Sequence, residues 1–367
     1  MSISLKSFTV ISSLLWTVHV TGRALPADTI PETDTSNLII FTLFPDQDPF
    51  QSDESIRIGL EFNMKKFIKE KNKGEKHEAI LRYTNADGSL VEQEIQISSR
   101  GNFRKNHCYF PPVKLNFKNT EIEDEYMNDI KSLKLVTHCK GGETYQQYIL
   151  KEYLVYRMFN ILTDNSYRVR LIEIEYVDSE QKKKPFSRYG FIVESNDHLA
   201  SRIDAVRIEM EGIPTWLTDT YQVNLMTMFQ YMIGNLDWAI ANLHNIRLFK
   251  EKDLQKPKPL AIPYDFDYCG MVNTYYAVPP EGQNIKSVRE RVYRGYCLNS
   301  EEEYQVYFNV FLEQRNAIYL LVRNCSLLEK RHRDEMLDYL DEFYQIIENP
   351  VLMRRQIINN CRVMPSR

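Results

Sequence analysis

The chain has 367 residues, 43% of them apolar and 12% aromatic, which is core material for one large or two modest domains. Forty-six lysines and arginines against fifty acidic residues leave a formal charge of −4. There is no cationic stripe of the kind that a phosphate backbone requires, so nucleic acid is excluded as an expected partner.

The first residues, MSISLKSFTVISSLLWTVHVTGRALPA, set Lys6 before an apolar run from Phe8 to Val20, followed by the small residues Gly22, Ala24 and Ala27. This is the layout of a secretory signal over residues 1–24, with cleavage near Ala24 or Ala27. The run contains Ser12, Ser13, Thr17 and His19 and is short of the ~20 apolar residues of a membrane span. Residues 25–36 are polar and proline-bearing, a loose, disordered start to the mature chain. No later segment is apolar enough to span a membrane, so the expected location is secreted or periplasmic.

Export gives meaning to the six cysteines, Cys108, Cys139, Cys269, Cys297, Cys325 and Cys361, because oxidising compartments permit disulfides. The pairing preferred from the predicted elements joins Cys108 to Cys139, which flank neighbouring strands, and Cys297 to Cys361, which ties the C-terminal helices. The His107-Cys108 and His138-Cys139 pairs leave a zinc site as the alternative. Adjacent side chains of a strand point to opposite faces, so four such ligands converge only across a bend.

An apolar segment follows Asn37. In SIRIGLEFN, Ile56, Ile58, Leu60 and Phe62 then alternate with polar residues as in a half-buried strand. MKKFIKEKNKGEK reads as a solvated helical turn and loop. EAILRYT and SLVEQEIQI flank Asn85-Ala86-Asp87-Gly88, a hairpin signature. PPVKLNF and KSLKLVTH add two short strands. From Tyr145 to Leu162 the spacing is helical, and Glu152 interrupts an apolar stripe of Tyr145, Ile149, Tyr156 and Phe159. A carboxylate there needs a cationic partner or a proton. RVRLIEIEYV and YGFIVE read as strands separated by the charged loop DSEQKKKPFSR. Beyond Asp197 the pattern is helical, interrupted only from Asp237 to Val272, and Glu301 to Cys361 forms a series of amphipathic helices. Strands followed mainly by helices, with no linker between them, describe an α+β architecture of closely packed parts.

Acidic and amide residues concentrate in GNLDWAIANLHNIRLF and IPYDFDYCG. Asp265 and Asp267 follow the apolar run Leu260 to Tyr264 and emerge at a strand end. Hard oxygen ligands of this kind suit Mg²⁺ or Mn²⁺ bridging phosphate oxygens. Phosphoryl transfer needs a carboxylate for the attacking hydroxyl, an Asn and an Asp for metal, and a Lys held by a Glu for phosphate. Asp237, Asn245, Asp265, Lys114 and Glu152 occur in a compatible order. The bland reading has Asp237 capping a helix and Asp265 and Asp267 shaping a turn.

RGNFRKNHCYFPPVKLNF resembles the opening motif of the CotH-type spore-coat kinases, an Arg-Gly-Asn loop followed by a Lys-Leu-x-Phe strand. GNLDWAIANLHNIRLF is similar to that family's Asn-x-Asp segment, IPYDFDYCG to its Ile-Pro-Trp-Asp-x-Asp motif, and YGFIVES to the strand where the two lobes meet. The resemblance covers roughly residues 55–275. It implies a two-lobed, atypical protein-kinase-like fold over residues 37–361, with a sheet-rich N-lobe over about 37–195 and a helical C-lobe over about 196–361. It makes Asp237 the catalytic aspartate, Asn245 and Asp265 metal ligands, and Lys114 the nucleotide-phosphate lysine with Glu152 as its ion-pair partner. Glu194 joins the nucleotide-binding set from the inter-lobe strand, and Arg100 is either a phosphate contact or a turn arginine. Asn242 rivals Asn245, Lys134 rivals Lys114, and Asp267 is a second metal ligand or a brace for its loop. The sequence departs from ordinary kinases in lacking G-x-G-x-x-G and His-Arg-Asp. The basic cluster Arg289, Arg291 and Arg294 reads as a solvated helix face or an anion contact.

The implied activity is transfer of the ATP γ-phosphate to Ser or Thr of a secreted or surface protein, with Mg²⁺ or Mn²⁺. The alternative is a catalytically inactive binding or surface-assembly module. A metal-dependent phosphoesterase using Asp265 and Asp267 is a third reading.

Overall fold

The computed structural model describes residues 50, 54–84, 89–117 and 132–364. The predicted signal, the loose N-terminal stretch, the apolar segment after Asn37 and the Asn85–Gly88 turn lie outside the described residues.

The alternation read in the first half produces strands at the expected places. They are β1 (Ile56–Phe62), β2 (Lys76–Thr84), β3 (Leu90–Ser99), β4 (Val113–Phe117), β5 (Ser132–Val136), β6 (Val169–Asp178) and β7 (Phe186–Val193). Helix α1 (Met64–Glu70) follows β1 and drops Met64 and Phe67 into the core. A short helix α2 (Phe103–His107) lies between β3 and β4, and α3 (Glu143–Leu162) between β5 and β6. The strands run in the order β1-β2-β3-β4-β5-β7-β6 and close into a barrel. Closure comes from β6, which lies parallel to β1 from Ile56 opposite Ile172 to Phe62 opposite Asp178.

This closure corrects the expected fold. A two-lobed, kinase-like architecture needs a sheet with free edges in its first lobe, whereas here the β1–β6 ladder leaves no edge. Inward residues of the strands, among them Leu60, Leu81, Ile97, Leu115 and Ile174, fill the barrel as one core. Strand β6 is buried on both faces over Val169–Ile172, because its inner face lines the barrel and Leu171 on its outer face joins the helical core.

The second core lies outside the barrel. Helix α3 packs on β7 and β6. It meets α5 (Thr220–Ile233) at Phe159 and Phe229, whose ring centroids are 4.5 Å apart. Between them in sequence come α4 (Asn196–Arg202) and β8 (Ala205–Ile208). β8 pairs with β9 (Ile246–Glu251), which pairs with β10 (Leu260–Pro263), making a three-stranded sheet. The C-terminal helices α6 (Glu301–Arg323), α7 (Lys330–Glu348) and α8 (Pro350–Gln356) complete the core.

Two local expectations are also corrected. β8 falls where a helix is expected, its pairing with β9 outweighing the weak helical pattern. Residues 273–300 are helix-free turns and loop, as Pro279, Pro280 and Gly282 dictate. Both preferred disulfides are present, Cys108–Cys139 and Cys297–Cys361. Among the described residues no helix is long and apolar enough to cross a membrane.

Candidate functional site

A cleft of ≈520 Å³ opens where the Arg100–Gly101–Asn102 loop, β5 and α3 meet the segments after α5 and β10. Of the residues singled out in the sequence, Arg100, Glu152, Asp237, Asn245, Asp265 and Asp267 line it together, as do the rivals Lys134 and Asn242. Lys114 and Glu194 do not.

Lys114 sits on β4 directly opposite Lys134 on β5. Both stand at half-buried positions on the outer barrel surface, and Lys134 is the one that reaches the cleft. Burial, and then Arg100, Arg247, Arg207 and Lys114 around it, push the Lys134 ammonium down to about 8. Neither Lys134 nor the Arg100 guanidinium has a hydrogen-bond or ion-pair partner among the described residues. Burial pulls Arg100 down as well, and Asp265 opposes that shift. Two cations held in a cleft with no direct ion-pair partner suit an anion.

Glu194 is fully buried and used otherwise. Its carboxylate accepts from Arg202 Nε at 2.9 Å and the Arg168 amide at 3.0 Å, and lies 2.8 Å from His198 Nδ1. Those contacts hold it low despite burial. It ties α4 to the barrel and leaves no oxygen for a nucleotide.

Glu152 meets the condition set by its place in the α3 stripe. Its partner is Arg104, at 3.6 Å, rather than the expected Lys114. Burial is the largest influence and lifts the carboxyl to about 7, Arg104 opposing and Asp265 reinforcing the rise. Arg104, from α2, is itself buried and also lies 4.0 Å from Asp267 and hydrogen-bonds the Thr137 carbonyl. Asp267 accepts from the Tyr276 hydroxyl at 2.7 Å. Burial and then the Asp265 and Glu152 charges raise its pKa well above the carboxylate range. One of its oxygens, Oδ2, is thus held between Tyr276 and Arg104 in the cleft lining.

Asp265 is the free carboxylate. Its backbone is left-handed (φ 64°) and its amide donates to Tyr156 Oη at 2.7 Å, while its side chain has no partner among the described residues. Asn245 is also left-handed (φ 51°), as is Leu243 (φ 52°). Asn and Asp accept that conformation more readily than other non-glycine residues, and strain collected at one cleft marks a site the surrounding fold holds in place. Asn245 Nδ2 donates to Asp237 Oδ2 at 2.9 Å, leaving its own Oδ1 free. On the other side His244 Nε2 lies 2.6 Å from Asp237 Oδ1. The loop carrying Asp237 is clamped by Arg294, which donates to the carbonyls of Leu236 (2.6 Å) and Trp238 (2.9 Å).

Among the described residues no three His, Cys, Asp or Glu side chains are grouped to hold a metal ion. Magnesium at nucleotide sites takes one or two protein carboxylates and completes its shell with phosphates and water. Asp265 and the free Oδ1 of Asn245 fit that demand.

Sequence reasoning missed Arg104, His244 and the structural role of Arg294. The first two were within reach, since Arg104 lies inside the RGNFR motif and His244 directly precedes Asn245. The Arg289, Arg291 and Arg294 cluster lies on no helix, a further correction. Arg291 stacks on Tyr339 at 3.6 Å and pairs with Glu342.

No known protein-family model matches the chain, and no curated protein matches its sequence.

Proposed function

We propose that the cleft binds the magnesium complex of ATP and transfers its γ-phosphate to a Ser or Thr hydroxyl of an exported protein, the chemistry also implied by the similarity to the CotH-type kinases. The observation that carries this reading is the convergence of three unpartnered charged groups, Arg100, Lys134 and Asp265, in one cleft. The cations suit phosphate oxygens. Asp265 with Asn245 suits a divalent ion, which when bound neutralises charge on those oxygens. Asp237 accepts the proton as the hydroxyl oxygen attacks the γ-phosphorus. The bond from that phosphorus to the β–γ bridging oxygen breaks, and its electron pair leaves with ADP. The two disulfides, together with the signal-like N-terminus, support an extracytoplasmic setting.

One observation favours the inactive binding module instead: both Asp237 carboxylate oxygens are engaged, by His244 and Asn245. The two readings separate in thermal denaturation with Mg-ATP followed by a transfer assay. A ligand at ~100 times its Kd adds about 2.7 kcal/mol to native stability. Stabilisation of the wild type but not of Asp265→Ala supports the nucleotide site, and label transfer lost in Asp237→Ala supports the enzyme. No stabilisation of the wild type overturns the nucleotide reading.

A further inference from the structure

Asp237 and Tyr268 are walls of two hollows at once. Besides the cleft they line a second hollow of ≈200 Å³, completed by Leu236, Val278, Pro279, Pro280, Glu281 and Val288. Its character differs from that of the cleft. Apart from Asp237 and Glu281 its walls carry no charge, and Val278 is 63% exposed with nothing over it among the described residues.

The hollow is a built feature. Its floor at Val288 rests on Gly270, where an added Cβ would come within 2.5 Å of the Val288 carbonyl. The next residue, Arg289, is fixed by a 2.9 Å hydrogen bond from Tyr339 Oη to its carbonyl. Gly270 is itself tied by its amide to the Gly234 carbonyl at 3.0 Å, at the end of the helix that leads to Asp237. The two prolines fix the backbone of the facing wall. An apolar pocket with rigid walls beside a polar group receives one side chain of an extended ligand.

We infer that this hollow is the acceptor subsite: it takes the apolar residue next to the hydroxyl-bearing residue of a peptide substrate. The inference rests on the phosphotransfer reading and names its substrate class. The shared wall is the argument. A Ser or Thr hydroxyl bonded to Asp237 lies at the boundary of the two hollows, and consecutive Cα atoms are about 3.8 Å apart, so the neighbouring side chain falls into the second one. Leu-, Val- or Pro-sized groups match its lining, an acidic neighbour is rejected by Glu281 and by desolvation, and a basic residue further along is favoured by Glu281 at the rim.

The test is equilibrium binding of fluorescein-labelled serine peptides that differ only in the residue after serine (Leu, Ala, Asp or Lys), followed by anisotropy on the full chain. The Leu peptide binds about tenfold tighter than the Asp peptide, the range a small change in an apolar pocket produces. Val278→Lys, at an exposed site that leaves folding intact, weakens the Leu peptide and attracts the Asp peptide and so removes that difference, and Glu281→Lys reverses the order of the Asp and Lys peptides. Equal affinity across the panel, or an unchanged Leu preference in Val278→Lys, overturns the subsite. Thermal stabilisation by Mg-ATP, read on the same samples, reports the nucleotide reading separately. Its absence sinks that reading, and the peptide panel alone decides the hollow.

Discussion

Lys114 and Lys134 stand opposite each other in register on β4 and β5, yet Lys134 lines the cleft and Lys114 does not. Replacing each with alanine therefore gives unequal results. Lys134→Ala removes most of the stabilisation that Mg-ATP confers, whereas Lys114→Ala keeps most of it, because Lys114 lines no part of the cleft and makes no direct bond to a phosphate there. Thermal melts with and without Mg-ATP distinguish them, and equal behaviour of the two variants contradicts the assignment.

Asp237→Asn keeps the shape of the loop and removes the proton acceptor. The expected outcome is a loss of phosphate transfer of ~10²–10⁴-fold, the contribution of a positioned base, with Mg-ATP stabilisation retained. Transfer persisting near the wild-type rate would move the base to the neighbouring His244.

Glu152 makes stability depend on pH in the direction opposite to most carboxylates. Its folded pKa is about 7, above the ordinary value of 4.5, so between those values the folded state holds the proton and the unfolded state has lost it. Stability from this group is present below about pH 4.5 and is lost as pH rises through 7. Asp267, also raised, acts in the same sense. Glu152→Gln keeps the shape without the charge, so its melting temperature falls less between pH 5 and 8 than that of the wild type. Parallel curves would show that Glu152 is already ionised at pH 5.

Arg294→Ala leaves the Leu236 and Trp238 carbonyls without their donor and costs about 1–3 kcal/mol in denaturant unfolding. Because Arg294 positions Asp237 without touching substrate, transfer falls in kcat more than in KM, and Arg294→Lys restores part of it. A stability loss with unaltered kcat would make the clamp purely structural.

The Cys297–Cys361 bridge closes a separation of 64 residues. Changing both cysteines to serine costs about 4 kcal/mol by chain entropy alone, seen as a lower denaturant midpoint with the barrel core intact. An unchanged midpoint would place the constraint elsewhere in the C-terminal helices.

Much of the secondary structure was legible because each element carries its own period. Ile56 to Phe62 alternates, Tyr145 to Phe159 steps by three and four, and both spans hold in the structure. Asp237, Asn245, Asp265 and Asp267 stood out as polar residues in apolar surroundings, and they do share one cleft. Local pattern also pointed to both disulfide pairs, since Cys108 and Cys139 flank neighbouring strands and Cys361 follows the C-terminal helices. It gave no warning of β8, of the loop over residues 273–300, or of the barrel. Pairing between β1 and β6 joins residues 116 apart, and a strand's own alternation says which face is apolar but not which strand will lie beside it.

What the sequence determined by itself was the barrel strands, the long helices and the cast of charged residues, because propensity, period and residue chemistry are local. What only the tertiary structure decided was who meets whom: Glu152 with Arg104, Lys134 instead of Lys114 at the cleft, Glu194 consumed by Arg202 and His198, and a closed barrel in place of an open lobe. The physical reason is that burial and counter-charge belong to a place in the fold. A lysine, a glutamate or a strand edge acquires its role from neighbours brought together by packing, and those neighbours are far away in the chain.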